Sequence, residues 1–167
     1  TVSARRAQLR RMSDAFTKKG LDSPRLMSEM LMAHVLGCER LKLYMEADRP
    51  ASELERNTLR ELVGRALKHE PIQYLVGEGW FFGLPFHVDR RVLVPRPDTE
   101  TLVDWALELL GDGARPRRLL DLGTGSGAIA LALKATRPGW SIDAVDASAA
   151  ALAVASQDDK AVASEAA

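Results

Sequence analysis

The stretch LLDLGTGSGA, which spans Leu119–Ala128, decides the fold of the second half of this chain. Its apolar part predicts a short strand over 118–122, and its alternating glycines predict a tight turn over 123–127. Helical spacing follows over 128–135, and a second apolar strand is predicted over 141–145. A strand, a helix and a further strand in this order are typical of a parallel α/β sheet.

The turn after the first strand is the predicted ligand site. Open α/β sheets bind ligands at the carboxyl ends of their strands. Glycines let the backbone turn sharply and approach a ligand, and the following helix presents unpaired N–H groups. Asp146 ends the second strand, so its carboxylate should lie beside the turn and suit both hydroxyls of an adenosine ribose. The expected cofactor-binding residues are Asp121, Gly123, Thr124, Gly125, Ser126, Gly127 and Asp146.

Two cofactors are compatible with this turn. The series Gly123-x-Gly125-x-x-Ala128 also satisfies the loose dinucleotide pattern, so an NAD-dependent enzyme is one hypothesis. Asp121 discriminates between the two, because a carboxylate before the first glycine would face a pyrophosphate unfavourably. The same carboxylate suits the sulfonium and amino group of S-adenosylmethionine, which is therefore the expected cofactor. A strand–helix turn that binds no ligand is the remaining interpretation.

A proline-rich segment precedes the α/β part. Two prolines hold Leu93–Glu100, with the sequence LVPRPDTE, in an extended conformation. Asp98 or Thr99 is expected to cap the helix predicted over 99–110. One interpretation of the segment is a rigid linker. The other is a possible active-site loop that directs polar groups into the cofactor site and comprises Arg96, Pro97, Thr99 and Glu100.

The first 75 residues are predicted to be helical. Ser23 is expected to cap a helix whose first turn holds Pro24, where the missing N–H costs nothing. Ser52 and Glu55 have the spacing of a capping box at the start of another helix.

Most aromatic side chains lie over 73–97, among glycines and prolines. The simplest interpretation is a hairpin with strands near 80–82 and 86–88 and a turn at Gly83–Pro85. The predicted organisation is a helical substrate-recognition domain over 1–75, a hairpin and linker over 76–98, and a partial α/β domain over 99–167.

Composition limits the function classes. Lysine plus arginine number 23 and aspartate plus glutamate number 23, so the formal net charge is zero. No whole-chain basic field points to nucleic acid, and direct nucleic-acid binding is not expected. Basic side chains do gather within residues 1–19. For that helix, a solvated face and a contact with an acidic partner or RNA both stay open.

The remaining signals concern compartment and metal. The single cysteine, Cys38, suits a reducing compartment. The N-terminal arginines are not followed by the apolar core of a secretory signal, and no apolar run approaches the ~20 residues that cross a bilayer. His34, His69 and His87 lack metal-ligand spacing. The expectation is a cytoplasmic monomer without a metal site or membrane attachment.

Taken together, these segments resemble the HemK/PrmC family, the protein-glutamine methyltransferases that act on peptide-chain release factors. The Pro-Arg-Pro segment is much more specific than the glycine turn, and the resemblance fades near Ser156. The matching segments are LDSPRL at 21–26, AHVLG at 33–37, PIQYLVG at 71–77, VPRPDTE at 94–100, the turn at 121–128, and Val145-Asp146.

The resemblance implies an α/β fold with an N-terminal helical bundle, a β-hairpin linker and a Rossmann-like S-adenosylmethionine-dependent methyltransferase domain. It implies that a glutamine amide nitrogen of a release factor attacks the methyl carbon of S-adenosylmethionine in line. In this family an Asn-Pro-Pro-Tyr motif holds the two amide hydrogens and aims the nitrogen.

No Asn-Pro-Pro-Tyr motif is present in this sequence, so no catalytic residue is assigned. Only the first part of the methyltransferase domain is expected, and the chain is interpreted as a fragment without methyl transfer and with weak cofactor binding. Two other hypotheses stay open: a methyltransferase of another protein, such as a ribosomal protein, and a non-catalytic module whose helical part docks on a partner.

Overall fold

The computed structural model describes residues 4–45, 51–111 and 115–165. The chain divides into two compact units, Thr1–Val76 and Gly77–Ala167. The three-domain division of the sequence stays a prediction. Parts of those predicted domains lie outside the described residues, at 1–3, 46–50, 112–114 and 166–167.

The first unit is helical throughout its regular elements. Phe16, Leu31 and Ala66 come from three different helices and are fully buried in one core. Their helices form because apolar residues recur at helical spacing and bury one face of each helix. The helices are α1 (Ala4–Lys18), α2 (Pro24–Leu36), α3 (Lys42–Met45), α4 (Glu53–Ala66) and α5 (Ile72–Val76).

Two predicted helix caps have opposite outcomes. The capping box of α4 is confirmed, since Ser52 accepts the N–H of Glu55 and the Glu55 carboxylate accepts the N–H of Ser52. The cap predicted for α2 is wrong. Ser23 is left-handed, with φ 49°, and its side chain makes no cap hydrogen bond. A capping side chain needs an extended backbone to reach the first N–H groups of the helix. The position of Pro24 in the first turn is as predicted.

A buried carboxylate ties α2 to its neighbours. Glu29 accepts hydrogen bonds from Arg25 Nε at 2.9 Å, from Arg40 Nη2 at 3.3 Å and from the Tyr44 hydroxyl. Burial alone would raise the pKa of Glu29. The hydrogen bonds from Tyr44 and Arg25, with the charge of Arg25, outweigh burial and hold that pKa below its usual value.

The second unit begins with an antiparallel hairpin of β1 (Glu78–Phe81) and β2 (Leu84–His87). The hairpin is confirmed, but the predicted turn at Gly83–Pro85 is wrong. The turn residues are Phe82 and Gly83, both with positive φ, and Pro85 already lies in β2 opposite Trp80. Two central residues with positive φ are the geometry that suits the twist of a two-residue hairpin.

The next helix is α6 (Glu100–Leu110), which follows a short 3-10 turn over Pro97–Thr99. The predicted side-chain cap by Asp98 or Thr99 is not formed. Thr99 already has helical dihedral angles and no side-chain cap bond, and its N–H donates to the carbonyl of Arg96. The 3-10 turn therefore begins the helix where a side chain was expected to do so.

The α/β part follows the predicted order. Strands β3 (Arg118–Leu122) and β4 (Ser141–Val145) have the predicted bounds and pair in parallel, with Asp121 opposite Ala144. Helix α7 (Ala128–Thr136) connects them, and α8 (Ala149–Glu165) follows β4. Helix α7 packs on β4 and on α8, and α8 also packs on β2.

Large apolar side chains remain exposed in the second unit. Leu120, Leu122 and Val145 lie on the same face of the parallel pair, and Leu122 is 74% exposed. Helix α6 also exposes Leu102, Trp105 and Leu109. Parallel strands are ordinarily covered on both faces. Here the exposed leucines and valine show that the described helices cover one face of this strand pair only.

Two findings concern membranes and metals. Among the residues that the structure describes, no helix combines the length and apolarity required to span a bilayer. Within the same ranges, no group of three or more His, Cys, Asp or Glu side chains is placed to hold a metal ion.

The Glu29→Gln change should weaken the first unit in a pH-dependent way. Because the folded pKa of Glu29 is lowered, its stabilising contribution is complete above about pH 4.3 and is lost as the pH falls through the lower folded value. At neutral pH we expect a loss of about 1–2 kcal/mol in the free energy of unfolding. Urea unfolding followed by circular dichroism measures it.

The control for this change is Glu39→Gln, at an exposed position of the same unit. That variant should match the parent at each pH. A stability difference for Glu29→Gln that stays constant as the pH is lowered below about 4 would contradict the assigned role of its charge.

Candidate functional site

The end of β4 holds the turn that follows β3. The N–H groups of Gly123 and Thr124 both donate to the carbonyl oxygen of Val145, at 2.8 and 3.0 Å. Because the two strands are parallel, the turn and the end of β4 meet at the same edge of the sheet. The predicted site is therefore assembled at that edge.

Asp146 is the second attachment of the turn. Its Oδ2 accepts the N–H of Gly125 at 2.9 Å, and its Oδ1 accepts the N–H of Ser148 at 2.8 Å. These two hydrogen bonds, from Ser148 and then Gly125, lower the pKa of Asp146 below its usual value. Each oxygen of a carboxylate has a second acceptor position, so further hydroxyl donors fit.

Asp121 stands at the other side of the turn. Its Oδ2 accepts the hydroxyl of Thr124 at 2.7 Å. Asp121 is half-buried near the end of β3, whereas Thr124 is buried. The threonine hydroxyl thus orients the Asp121 carboxylate, and two backbone amides orient that of Asp146.

The three glycines of the turn have different surroundings. All have positive φ, of 77° at Gly123, 57° at Gly125 and 81° at Gly127. A Cβ added at Gly123 or Gly125 would meet no atom within 4 Å, so a ligand has room to approach the backbone there. A Cβ added at Gly127 would lie 3.1 Å from Ala155 Cβ and 3.3 Å from Leu131 Cδ1. Gly127 therefore permits the close packing of α7 on α8.

The seven predicted cofactor residues consequently divide into two groups. Thr124, Ser126 and Gly127 are buried, and Ser126 is only 4% exposed. The accessible members are Asp121, Gly123, Gly125 and Asp146. The open space and the two carboxylates fit a ligand that carries hydroxyls and positive charge.

The four residues of the possible active-site loop are placed elsewhere. Arg96 and Pro97 are exposed, and Thr99 lies in the 3-10 turn. Glu100 is half-buried, and its Oε1 accepts the N–H of Phe82 at 2.9 Å in the hairpin turn. Among the hydrogen bonds and ion pairs described for 93–100, none joins these side chains to the glycine turn.

Sequence reasoning missed the hydrogen bond that the N–H of Ser148 donates to Asp146. An aspartate readily accepts a hydrogen bond from the N–H two residues further along, and the spacing of Asp146 and Ser148 has that form. The carbonyl of Val145 carries no comparable signal, because every residue has a carbonyl. Its role depends on the register of the two strands.

Family models match both units of the chain. The PrmC N-terminal domain matches residues 7–77. The methyltransferase small domain matches residues 100–167.

Curated relatives are named release factor glutamine methyltransferase. The protein of Chlorobaculum tepidum is 44% identical over 144 residues, which are 84% of this chain and 49% of that protein. The protein of Rhodopirellula baltica is 45% identical over 147 residues, or 86% of this chain and 49% of that protein. The protein of Leptospira interrogans is 37% identical over 150 residues, which are 90% of this chain and 52% of that protein. The chain spans about half the length of the curated relatives it matches.

The Gly127→Ala change should destabilise the second unit. A left-handed residue with a side chain costs about 1–2 kcal/mol, and the new methyl group would crowd the Cβ of Ala155. We expect a total loss of roughly 2–3 kcal/mol in the free energy of unfolding. Thermal unfolding followed by tryptophan fluorescence measures it, since the tryptophans lie in the second unit.

The matched control is Gly139→Ala. Its added methyl group would meet no atom within 4 Å, and its backbone is not left-handed. That variant should stay within about 0.5 kcal/mol of the parent. Equal unfolding temperatures for the two variants would argue against close packing at Gly127.

Proposed function

The chain belongs to the HemK/PrmC family, and on this premise we propose that the protein methylates a glutamine side-chain amide of peptide-chain release factors with S-adenosylmethionine. The names of the curated relatives support the reaction and the substrate. The order of a PrmC N-terminal domain and a methyltransferase small domain in one chain supports the assignment.

One observation carries the choice of cofactor: four of the five amides of residues 123–127 are already engaged. Gly123 and Thr124 donate to Val145, and Gly125 donates to Asp146. The N–H of Gly127 donates to the carbonyl of Thr124 at 2.9 Å. A dinucleotide pyrophosphate needs such amides as donors, so this turn favours a ligand recognised by carboxylates.

The residues of the site then have distinct tasks. Bound S-adenosylmethionine supplies an electrophilic methyl group on a positively charged sulfur. Asp146, held by two backbone amides, would accept hydrogen bonds from the ribose hydroxyls. Asp121 offers negative charge to the cationic part of the ligand, and Thr124 fixes its orientation. Gly123 and Gly125 leave space for the ligand beside the backbone.

The acceptor side of the reaction sets a separate requirement. An amide nitrogen is a weak nucleophile, because its lone pair is delocalised into the carbonyl. A methyltransferase of this type therefore needs acceptors that hold the amide hydrogens, aim the nitrogen and exclude water. In our proposal the glycine turn binds the methyl donor, S-adenosylmethionine, and the helical unit contributes to recognition of the protein substrate.

The Asp146→Asn change should weaken binding of S-adenosylmethionine by roughly tenfold or more, because the amide removes the charge and one acceptor oxygen. Isothermal titration calorimetry on the intact protein measures the binding constants of S-adenosylmethionine, of its demethylated product S-adenosylhomocysteine and of NADH. Asp143→Asn is the matched control, since Asp143 is an exposed aspartate of β4 that lies opposite Leu120 of β3. Heat with NADH and none with S-adenosylhomocysteine would refute the choice of cofactor.

Methyl transfer itself is testable with labelled S-adenosylmethionine and purified bacterial release factor. The intact protein should label the release factor on a glutamine, located by mass spectrometry of its peptides. The Asp121→Asn variant should transfer more slowly, since it lacks the charge beside the donor. Labelling of a ribosomal protein instead of the release factor would replace the proposed substrate while keeping the proposed chemistry.

A further inference from the structure

The first unit contains a cavity of about 260 Å³ where α1, α2 and α3 meet. Arginines from two helices line it together with one aspartate, one tyrosine and apolar surface. The lining residues that matter here are Arg6, Leu9, Arg10, Asp14, Arg25 and Tyr44. None of them belongs to the glycine turn or to its carboxylates.

Arg25 is ordered before any partner arrives. Its Nε donates to Glu29 at 2.9 Å and its Nη2 donates to the Tyr44 hydroxyl at 3.2 Å. The side chain of Arg25 is nevertheless 79% exposed, whereas that of Glu29 is 9% exposed. A guanidinium has five N–H donors, so an arginine held along one edge presents its other edge to solvent in a fixed direction.

A second cavity, of about 460 Å³, is also lined by this arginine and glutamate. Arg25 and Glu29 line both cavities, and Arg40 lines the second one. Arg40 donates to Glu29 at 3.3 Å through Nη2, and its side chain is 54% exposed. One buried carboxylate thus holds two exposed arginines that border adjoining cavities.

We propose that this arginine-lined surface binds an acidic segment of a protein partner. Arginines with fixed guanidinium planes favour carboxylates, because two parallel N–H groups match two carboxylate oxygens. Ordering Arg25 and Arg40 in advance reduces the side-chain entropy that binding would cost.

The same surface is poorly suited to a nucleic acid. Asp14 and Glu29 also line the cavity and interrupt its positive charge, which suits separated carboxylates better than the regularly spaced phosphates of a nucleic acid. Leu9 is largely buried in the core, but the ring of Tyr44 is 37% exposed and also lines the cavity, which suits a peptide that alternates acidic and apolar groups. The chain as a whole has no net charge, so a general field for polyanions is absent.

The test compares neighbouring arginines of α1. Arg10 lines the cavity, whereas Arg11 is exposed on the same helix and is not among the lining residues. Fluorescence anisotropy should follow a labelled peptide that alternates glutamate with leucine and serine, added to the intact protein without methyl donor. The matched peptide carries glutamine in place of glutamate.

We expect Arg10→Gln and Arg25→Gln each to weaken binding of the acidic peptide roughly tenfold, and Arg11→Gln to weaken it by about twofold or less. The glutamine peptide should bind more weakly than the acidic peptide by a similar factor. Because Arg25→Gln also releases Glu29, Arg10→Gln is the decisive variant, and circular dichroism checks that each variant is folded.

Three outcomes would overturn the proposal: no binding of the acidic peptide, equal loss in the Arg10→Gln and Arg11→Gln variants, or tighter binding of a single-stranded RNA of the same length. Because the assay contains no methyl donor, failure here leaves the proposed methyl transfer untouched. Conversely, a failure to methylate a release factor does not change the expected result with the peptide.

Discussion

The candidate site depends on the attachment of one turn to the neighbouring strand. Three amides of the turn, from Gly123, Thr124 and Gly125, donate to acceptors at Val145 and Asp146. These acceptors are in place only while β3 and β4 keep their parallel register. A shift of one residue would turn each side chain of a strand to the opposite face and remove Asp146 from the turn. The register of two strands therefore fixes both the shape of the turn and the position of the carboxylate.

Local signals were sufficient where the structure is local. The bounds of β3 and β4 were predicted because short apolar runs end at glycines or an aspartate. The hairpin turn was misplaced because Phe82 adopts a left-handed backbone, which a bulky side chain rarely does. Its N–H is held by Glu100, far along the chain. Likewise the sequence could not distinguish Gly127 from the open glycines, since that distinction arises from the approach of α8.

Three carboxylates show how donors decide the charge of an acid. Glu29 is buried but accepts from two arginines and a tyrosine, and its pKa is lowered. Asp146 accepts two backbone amides near solvent, and its pKa is also lowered. Asp158 of α8 is buried with the single N–H of His87 divided between its oxygens, and there burial prevails and raises the pKa. The number and charge of the hydrogen-bond donors thus decide whether the pKa of each carboxyl group is lowered or raised.

The candidate site and the exposed apolar face lie on different sides of the same two strands. Successive side chains of a strand point to opposite faces, so Leu120 and Leu122 point away from the face that carries Asp121. Leu122 is 74% exposed, whereas Asp121 is half-buried on the face where α7 packs. In the proposed function, the two carboxylates Asp121 and Asp146 both come from elements within 118–165. The N–H groups of Gly123, Thr124 and Gly125 already donate to Val145 and Asp146, so they are not open to a further acceptor.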